Sequence, residues 1–204
     1  MKTRYIVAVT GASGAVYAKR LIEVLLNNLC AVDLLVTDAG KEVLKYELGL
    51  DLYNQEKFPD SLNSFFGVGK GGLLRYLDNK DLTADIASGS VKSKAMVIIP
   101  CTMGTISAIA GGRSDNLLER AADVMLKERG RLIIVPRETP LNAIHLQNML
   151  ALAQLQVDIV PAMPAFYHKP QTIDDLINFI VGRILNLLEI EHQLFTPWKG
   201  ETSR

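Results

Sequence analysis

Four cations that lie far apart in the sequence have the chemistry to act on a phosphorylated substrate. Arg120 and Lys127 are seven positions apart, which places them on one face of a helix. Arg137 directly follows a short apolar run, and Arg183 interrupts an apolar helical stripe. Guanidinium and ammonium groups bind phosphate oxygens through charge-assisted hydrogen bonds. Taken singly, each is an ordinary solvated helix charge except Arg137, because its strand-end position directs it into a crevice.

The turn Thr10 to Gly14 (TGASG) lies between the apolar run Tyr5 to Val9 and the helix-like stretch Ala15 to Leu26. A strand that ends in glycine and serine just before a helix points free backbone N–H groups and a positive helix end at whatever lies above it. This arrangement predicts a seat for an anion, most often a phosphate group. The alternative that stays open is a tight turn that needs glycine only for its backbone dihedral angles.

Other catalytic motifs match poorly. Gly11 and Gly14 form only G-x-x-G, so the dinucleotide fingerprint is weak, although Asp38 stands where its acidic residue would be. The nucleophile elbow G-x-S-x-G also fails, because an alanine takes the place of its last glycine. The histidines show no triad spacing, and the doublet Asp174-Asp175 is explained by a helix start. The sequence therefore predicts no metal site and leaves phosphate chemistry to side-chain cations.

Composition limits the class of protein. The 204 residues fit one domain, 1–204, and 49% of them are apolar. Lys plus Arg and Asp plus Glu number 22 each, so no general basic field favours nucleic acid or an anionic membrane. Two cysteines are too few for a disulfide framework. No apolar run approaches the roughly 18 residues that would span a membrane, and a soluble cytoplasmic protein is expected.

The order of elements predicts an α/β fold. Apolar runs alternate with helix-like stretches, as in a three-layer, Rossmann-like, doubly wound parallel sheet. The predicted strands are Tyr5 to Val9, Ala31 to Thr37, Leu73 to Leu77, Ala95 to Ile99, Leu132 to Val135 and Val157 to Val160. Helices are predicted after the first turn, from Asp38 to Leu48, from Ser114 or Asp115 to about Arg129, from a first turn at Pro140, and after Thr172.

The loops that follow these strands should meet in one crevice, because ligands of such sheets bind beyond the carboxyl ends of the strands. These loops are Thr10 to Gly14, Thr37-Asp38, Cys101 to Thr105, Arg137-Glu138 and Pro161 to Tyr167. Within them, Cys101 is interpreted as a small packing residue rather than a nucleophile.

The chain also carries the segments TGASGA (10–15), ASGS (87–90), PC (100–101), NLLERAAD (116–123), LKER (126–129), PRETPL (136–141), HLQNM (145–149) and PAMPAFY (161–167). Together these segments resemble the flavin prenyltransferases of the UbiX type. The resemblance runs from about Arg4 to Trp198 and is poorest over Asn54 to Thr83. One departure is Thr102, which stands where the family usually has serine, so the hydroxyl group is kept.

The resemblance implies a flavoprotein that joins the dimethylallyl group of dimethylallyl monophosphate to N5 and C6 of reduced FMN without a metal ion. The product, prenylated FMN, would serve a UbiD-type decarboxylase in ubiquinone synthesis or aromatic-acid decarboxylation. The resemblance also implies a homo-oligomer, and a dodecamer is expected. The high apolar fraction agrees with surface buried between subunits.

The resemblance assigns roles by position. Glu138 is the proton donor or relay to the departing phosphate, Glu47 lies near the flavin edge, and Ser13 is the third catalytic candidate. The residues assigned to FMN are Gly11, Ala12, Ser13, Thr37, Thr102, Met103, Gly104, Thr105 and Arg137. Those assigned to the prenyl phosphate, some of them from a neighbouring subunit, are Ser88, Ser90, Arg120, Lys127, Tyr167, Arg183 and Trp198. Tyr167 and Trp198 would also offer π faces to the allylic carbon.

Two other functions stay open. An FMN-dependent cysteine decarboxylase would share the fold and the flavin site, but the early active-site histidine and the asparagine-rich motif expected of that family are not seen. A non-catalytic FMN-binding subunit is the second alternative. The joint presence of Glu47, Lys127, Glu138 and Arg183 argues against a pure carrier.

Overall fold

A computed structural model describes residues 2–53, 58–67 and 73–196, and the chain divides into two compact units, 1–161 and 162–204. The strands are β1 (Arg4–Val9), β2 (Ala31–Val36), β3 (Leu73–Leu77), β4 (Ala95–Cys101), β5 (Arg131–Pro136) and β6 (Asp158–Ile159). The helices are α1 (Ala15–Asn27), α2 (Asp38–Leu48), α3 (Phe58–Phe65), α4 (Met103–Ala110), α5 (Leu117–Lys127), α6 (Ala143–Gln154) and α7 (Ile173–Leu187). A short 3₁₀ turn covers Asp85–Ala87.

The six strands form one parallel sheet in the order β3-β2-β1-β4-β5-β6. The predicted doubly wound Rossmann-like architecture is therefore confirmed. Every residue of β2 and β4 is buried, because each of these strands is covered on both faces. The chain winds outward in one direction from β1 and in the other from β4. The point where the order reverses lies between these two strands, and it is where such sheets bind ligands.

Helices cover both faces of this sheet in the first unit. Helix α1 packs on β2, β4 and α2, whereas α4 packs on α5 and α6. One core cluster joins Ile6, Met96 and Ile98 of the strands to apolar residues of α4, α5 and α6. Successive strand residues point to opposite faces of the sheet. The strand residues that lie outside this cluster therefore face the α1 side. Right-handed crossovers account for this division between the helices before β4 and those after it.

Two helices between β4 and β5 replace the loop and single helix that the sequence predicted. The segment Cys101 to Thr105 was expected to be a loop, but α4 begins at Met103 because the Thr102 hydroxyl accepts a hydrogen bond from Thr105 N at 3.2 Å. The predicted start of the next helix at Ser114 or Asp115 is also wrong. Asn116 caps α5 instead, since its side-chain oxygen accepts from Glu119 N at 3.0 Å.

Side-chain caps also correct the starts of α2 and α6. Thr37 caps α2 by accepting from Gly40 N at 3.0 Å, so Asp38 is the first helical residue rather than the cap. The prediction that Pro140 lies in the first turn of the next helix is wrong. Asn142 accepts from the backbone N–H three residues on at 2.9 Å, and α6 starts at Ala143. Asparagine is a preferred N-cap residue because its side-chain oxygen accepts a hydrogen bond from a backbone N–H of the first turn. This cap, rather than the proline, sets the start of α6.

The second unit contains α7 and a group of stacked rings. Its predicted capping signal is confirmed: Asp175 N donates to the Thr172 hydroxyl at 3.2 Å, and Thr172 N donates to the Asp175 carboxylate at 2.9 Å. The His168 ring is parallel to the Phe179 ring with centroids 5.1 Å apart, and Phe179 also contacts Phe195 at 5.1 Å.

A cluster of charged side chains ties the edge strand β3 to the sheet. Asp33 of β2 has a side chain only 3% exposed. Arg75 of β3 donates to both of its carboxylate oxygens, at 2.8 and 2.9 Å, and to both oxygens of Asp85, at 3.1 and 2.7 Å. Arg4 lies 3.5 and 3.4 Å from the same two carboxylates. A buried carboxylate without these partners would be costly.

Arg75→Ala should destabilise the protein by about 3 kcal/mol, because it leaves the buried Asp33 carboxylate without its bidentate partner. The measurement is chemical denaturation at fixed protein concentration. Arg75 also holds the pKa of Asp85 below its usual range. That contribution to stability is present above the pKa of the unfolded chain, about 3.9, and is lost as the pH falls through the folded pKa. The deficit of the variant should therefore shrink in acid.

The control is Lys80→Ala, which removes a pair with Asp38 whose side chains are 77% and 60% exposed and should change stability by only about 0.5 kcal/mol. An equal decrease in the free energy of unfolding in the two variants would show that the buried cluster does not hold β3 in place.

Candidate functional site

The carboxyl ends of β1 and β4 are joined by Thr10. Its buried hydroxyl donates to the Pro100 carbonyl at 2.7 Å and accepts a hydrogen bond from Thr102 N at 2.9 Å. The first turn and the Thr102 to Thr105 segment therefore lie side by side at the switch point of the sheet, as predicted. Thr10 was placed in the predicted turn but was assigned no role of its own, because the sequence gives no signal for a partner 90 positions away.

Both glycines of the first turn have structural reasons to be glycine. A Cβ at Gly11 would lie 2.5 Å from the Ala39 Cβ, so the start of α2 packs directly on the turn. Gly14 has φ of 110°, in the region that favours glycine. The alternative that the turn needs glycine for its backbone dihedral angles therefore applies at Gly14. Within the same turn Ala12 is buried, whereas Ser13 is exposed at the sheet edge.

A carboxylate already occupies the amides that were predicted to bind an anion. Glu47, in the last turn of α2, accepts hydrogen bonds from Gly14 N at 3.2 and 3.0 Å and from Ala15 N at 2.9 Å. The expectation of a phosphate seat at this turn is therefore not met by the geometry, because a protein anion fills it. The structure does bring the catalytic candidates Glu47 and Ser13 to the same turn.

Arg137 and Glu138 follow β5 at the same edge. Arg137 Nε donates to the Ser13 carbonyl at 3.2 Å, and its own amide lies 3.4 Å from the Cys101 carbonyl. The exposed Glu138 carboxylate accepts from Thr139 N at 3.2 Å. Three loops far apart in the sequence thus meet here, and the prediction that Arg137 points into this crevice agrees with its contact.

The other hydroxyls assigned to FMN cap helices. Thr37 caps α2, and Thr102 caps α4 while lying 3.0 Å from the Thr105 hydroxyl. The two helix starts differ in charge. Asp38 in the first turn of α2 pairs with Lys41 at 3.0 Å, a hydrogen bond that holds the pKa of Asp38 below its usual range. The first turn of α4 carries no acidic residue, so its positive end is free to attract an anion.

Four residues assigned to the prenyl phosphate form a second group in the first unit. Arg120 Nε donates to the Ala87 carbonyl at 3.1 Å, and the Ser88 and Ser90 hydroxyls are 2.9 Å apart. The side-chain carboxyl group of Glu128, next to Lys127, packs directly against Gly89. The serine cluster therefore lies between Arg120 and the end of α5.

This second group does not lie with Glu138. Lys127 is the last residue of α5, which returns to the amino end of β5, and Ser90 precedes the amino end of β4. In a parallel sheet the amino and carboxyl ends of the strands form opposite edges. A single chain thus places Lys127, Ser88 and Ser90 at one edge and Arg137 with Glu138 at the other.

The second unit holds two further predicted residues. The Tyr167 ring packs edge-to-face with Phe179 and with His168, at 5.8 Å between centroids in both cases. Arg183 lies on α7 and is exposed between buried neighbours. Trp198 lies outside the described residues.

Other sequence interpretations concern groups that the site does not use. Cys101 is fully buried, and burial raises the pKa of its thiol, in agreement with a packing role. His145 completes the capping box of α6, which is a structural role. No group of three His, Cys, Asp or Glu side chains within residues 2–53, 58–67 and 73–196 is placed to hold a metal ion. Within the same ranges no helix has the length and apolarity to cross a membrane.

The sequence is similar to a well-defined set of proteins. The family model described as Flavoprotein matches residues 1–185. The chain is 52% identical to the flavin prenyltransferase UbiX of Halalkalibacterium halodurans, over 97% of this chain and 94% of the relative. It is 45% identical to the flavin prenyltransferase UbiX of Methanocaldococcus jannaschii, over 96% of this chain and 98% of the relative.

Solved structures agree. AnUbiX in complex with FMN and dimethylallyl pyrophosphate has a TM-score of 0.87 and 36% identity, over 98% of this chain and 99% of that one. A dodecameric FMN-dependent UbiX-like decarboxylase from Escherichia coli O157:H7 has a TM-score of 0.86 and 35% identity, over 97% and 100%. Full-length coverage at this identity goes beyond a shared fold. The chain belongs to the Flavoprotein family and, within it, to the UbiX flavin prenyltransferases, which are transferases.

Proposed function

We propose that this transferase joins the dimethylallyl group of dimethylallyl monophosphate to N5 and C6 of reduced FMN, without a metal ion, and that prenylated FMN is delivered to a UbiD-type decarboxylase. The observation that carries the proposal is the meeting of the first turn, the start of α4 and the Arg137-Glu138 loop at the switch point of the sheet. Relatives of this chain are named for this activity, and one similar structure contains FMN with a dimethylallyl substrate.

The start of α4 fits the phosphate of FMN. Its first turn offers the hydroxyls of Thr102 and Thr105 and carries no acidic residue. A Cβ at Gly104 would meet only the Thr102 hydroxyl, at 3.9 Å, so the backbone there is open to close approach. An unblocked helix N-terminus with hydroxyl donors suits a phosphate. Arg137 adds a fixed positive charge nearby, held by the Ser13 carbonyl.

Reduced FMN, when bound, would supply the electron-rich N5 and C6 atoms that form bonds to the two ends of the allyl unit. The residues of this chain have the task of stabilising the departing phosphate. Arg120, Lys127 and Arg183 would hold its oxygens with fixed charge in place of a metal ion. Glu138 would hold or pass a proton at the phosphate, and Tyr167 would face the allylic carbon with its ring. Trp198 is a second candidate for such a face.

A site shared between copies of the chain reconciles these roles with the fold. Lys127, Ser88 and Ser90 lie at the sheet edge opposite Glu138, so another subunit must bring its own group to complete the site. Helix α6 is suited to contact between copies, because it carries no charged side chain and exposes Ile144, Leu146 and Leu150 by 54–65%. Apolar exposure of this kind marks an interaction surface. A UbiX-like relative is dodecameric, and we infer the same assembly for this chain.

Anaerobic incubation with reduced FMN and dimethylallyl monophosphate should yield a flavin whose mass has increased by one prenyl group. Mass analysis of the extracted flavin is the measurement, with a parallel reaction containing a chelator, which should leave the yield unchanged. The diphosphate is tested beside the monophosphate. An unmodified flavin, with both substrates shown to be bound, would contradict the proposal and favour a carrier.

Glu138→Gln should bind FMN as tightly as the wild type but transfer the prenyl group about 100-fold more slowly, because the amide cannot hold or pass the proton. Flavin titration gives the first quantity and single-turnover product formation the second. Glu42→Gln, an exposed carboxylate on α2, is the matched control and should behave as the wild type. Wild-type turnover in the Glu138 variant would remove this carboxylate from the mechanism.

Lys127→Ala and Glu138→Gln subunits should complement each other when mixed in one oligomer. If a site takes Lys127 from one copy and Glu138 from another, random mixing leaves about a quarter of the sites with both intact residues. Activity should then rise to about that fraction of the wild type, although each variant alone is nearly inactive. Light scattering checks the assembly. A mixed oligomer no more active than its parents would place both residues of each site in one chain.

A further inference from the structure

One peptide bond in the first turn is held from both sides by charged side chains of other elements. The Ser13 carbonyl accepts a hydrogen bond from Arg137 Nε at 3.2 Å. The N–H of the same peptide, on Gly14, donates to both oxygens of Glu47, at 3.2 and 3.0 Å. Arg137 comes from the end of β5 and Glu47 from the end of α2. The Ser13–Gly14 peptide is therefore fixed in one orientation.

Helix α1 depends on this arrangement because it has no cap of its own. Helices α2, α4, α5, α6 and α7 each begin with a threonine or asparagine whose side chain accepts a backbone N–H. The residue at that position of α1 is Gly14, which has no side chain, and the first turn carries no acidic residue. Glu47 supplies the missing acceptor from 33 positions away.

The position of Glu47 does not serve its own helix. It lies in the last turn of α2, where the negative end of the helix disfavours a carboxylate. The positive end of α1 offsets this cost through three hydrogen bonds. The placement of a carboxylate here thus serves the first turn.

The carboxylate also changes what the first turn can bind. Gly14 N and Ala15 N donate to Glu47, and Tyr17 N donates to the Gly14 carbonyl at 3.0 Å. These amides are no longer open to a ligand, and a second anion would meet the charge of Glu47 at close range. The start of α4, by contrast, has no acidic residue in its first turn.

We propose that Glu47 is a positioning and specificity-determining residue. Its carboxylate holds the Ser13–Gly14 peptide against Arg137 and keeps phosphate groups away from the first turn, so that this turn contacts an uncharged part of the flavin. The part concerning the flavin rests on the proposed function. The capping of α1 and the exclusion of phosphate do not, and they are tested on flavin-free protein.

The experiment is hydrogen–deuterium exchange of flavin-free protein, resolved to Gly14 and Ala15 by fragmentation. Glu47→Ala should speed exchange at these two amides by about fivefold or more, since a lost helix cap exposes its donors. Glu47→Gln keeps one oxygen acceptor and should lie between the Ala variant and the wild type. Glu42→Ala removes an exposed carboxylate of the same helix that contacts Tyr53 and should leave both amides unchanged.

Inorganic phosphate separates positioning from general stability. It should restore slow exchange at Gly14 and Ala15 in Glu47→Ala, where the seat is empty, and have no effect on these amides in the wild type. The ratio of the dissociation constants for riboflavin and FMN should change in Glu47→Ala and stay unchanged in Glu42→Ala. Protection of the wild-type amides by phosphate, or unchanged exchange in Glu47→Ala, would overturn the proposal, whether or not prenyl transfer is found.

Discussion

The arrangement of the site depends on the buried hydroxyl group of Thr10. Strand β4 contains Pro100, which has no N–H to donate, and the pairing of β4 with β5 is irregular between Ile98 and Cys101. Thr10, which follows β1, bonds to β4 at this irregular point: its N–H and its hydroxyl both donate to the Pro100 carbonyl, and its oxygen accepts from Thr102 N. The residue is 1% exposed, so water cannot replace these bonds at low cost. The first turn and the start of α4 are thereby held together at the switch point.

Helices α1, α2 and α4 begin at the same edge of the sheet, but their first turns differ in the charged side chains that they contact or carry. The start of α1 is filled by Glu47, and the start of α2 carries Asp38, which pairs with Lys41. The start of α4 has hydroxyls but no carboxylate. All three have the same helix dipole, so the difference in what they can bind comes from the side chains alone. Of these three, only the start of α4 lacks a carboxylate that would repel the phosphate group of a ligand.

The sequence predicts the sheet well and the helix starts poorly, for physical reasons. Strand β3 has the predicted bounds Leu73 to Leu77. The buried strands are mostly apolar, with Asp33 of β2 as the exception, and hydrophobicity reports burial directly. Helix α4 was missed, since eight mostly apolar residues show no amphipathic period. The start of α6 was misplaced because the Asn142 cap depends on hydrogen bonds that composition does not reveal. Among site residues, Ser13 and Arg137 meet as predicted, whereas the capping role of Glu47 depends on long-range contact.

The separation of cations between the two sheet edges follows from the same topology that builds the crevice. A βαβ crossover must bring the chain back to the amino edge before the next parallel strand begins, so a residue at the end of α5, such as Lys127, cannot share an edge with one that follows β5, such as Glu138. Chemistry that needs both therefore requires a second copy of the chain. The apolar, uncharged surface of α6 supplies a face on which copies can pack. Under the proposed mechanism, assembly would then be a condition of catalysis, because only packing between subunits would bring Lys127 of one copy to Glu138 of another.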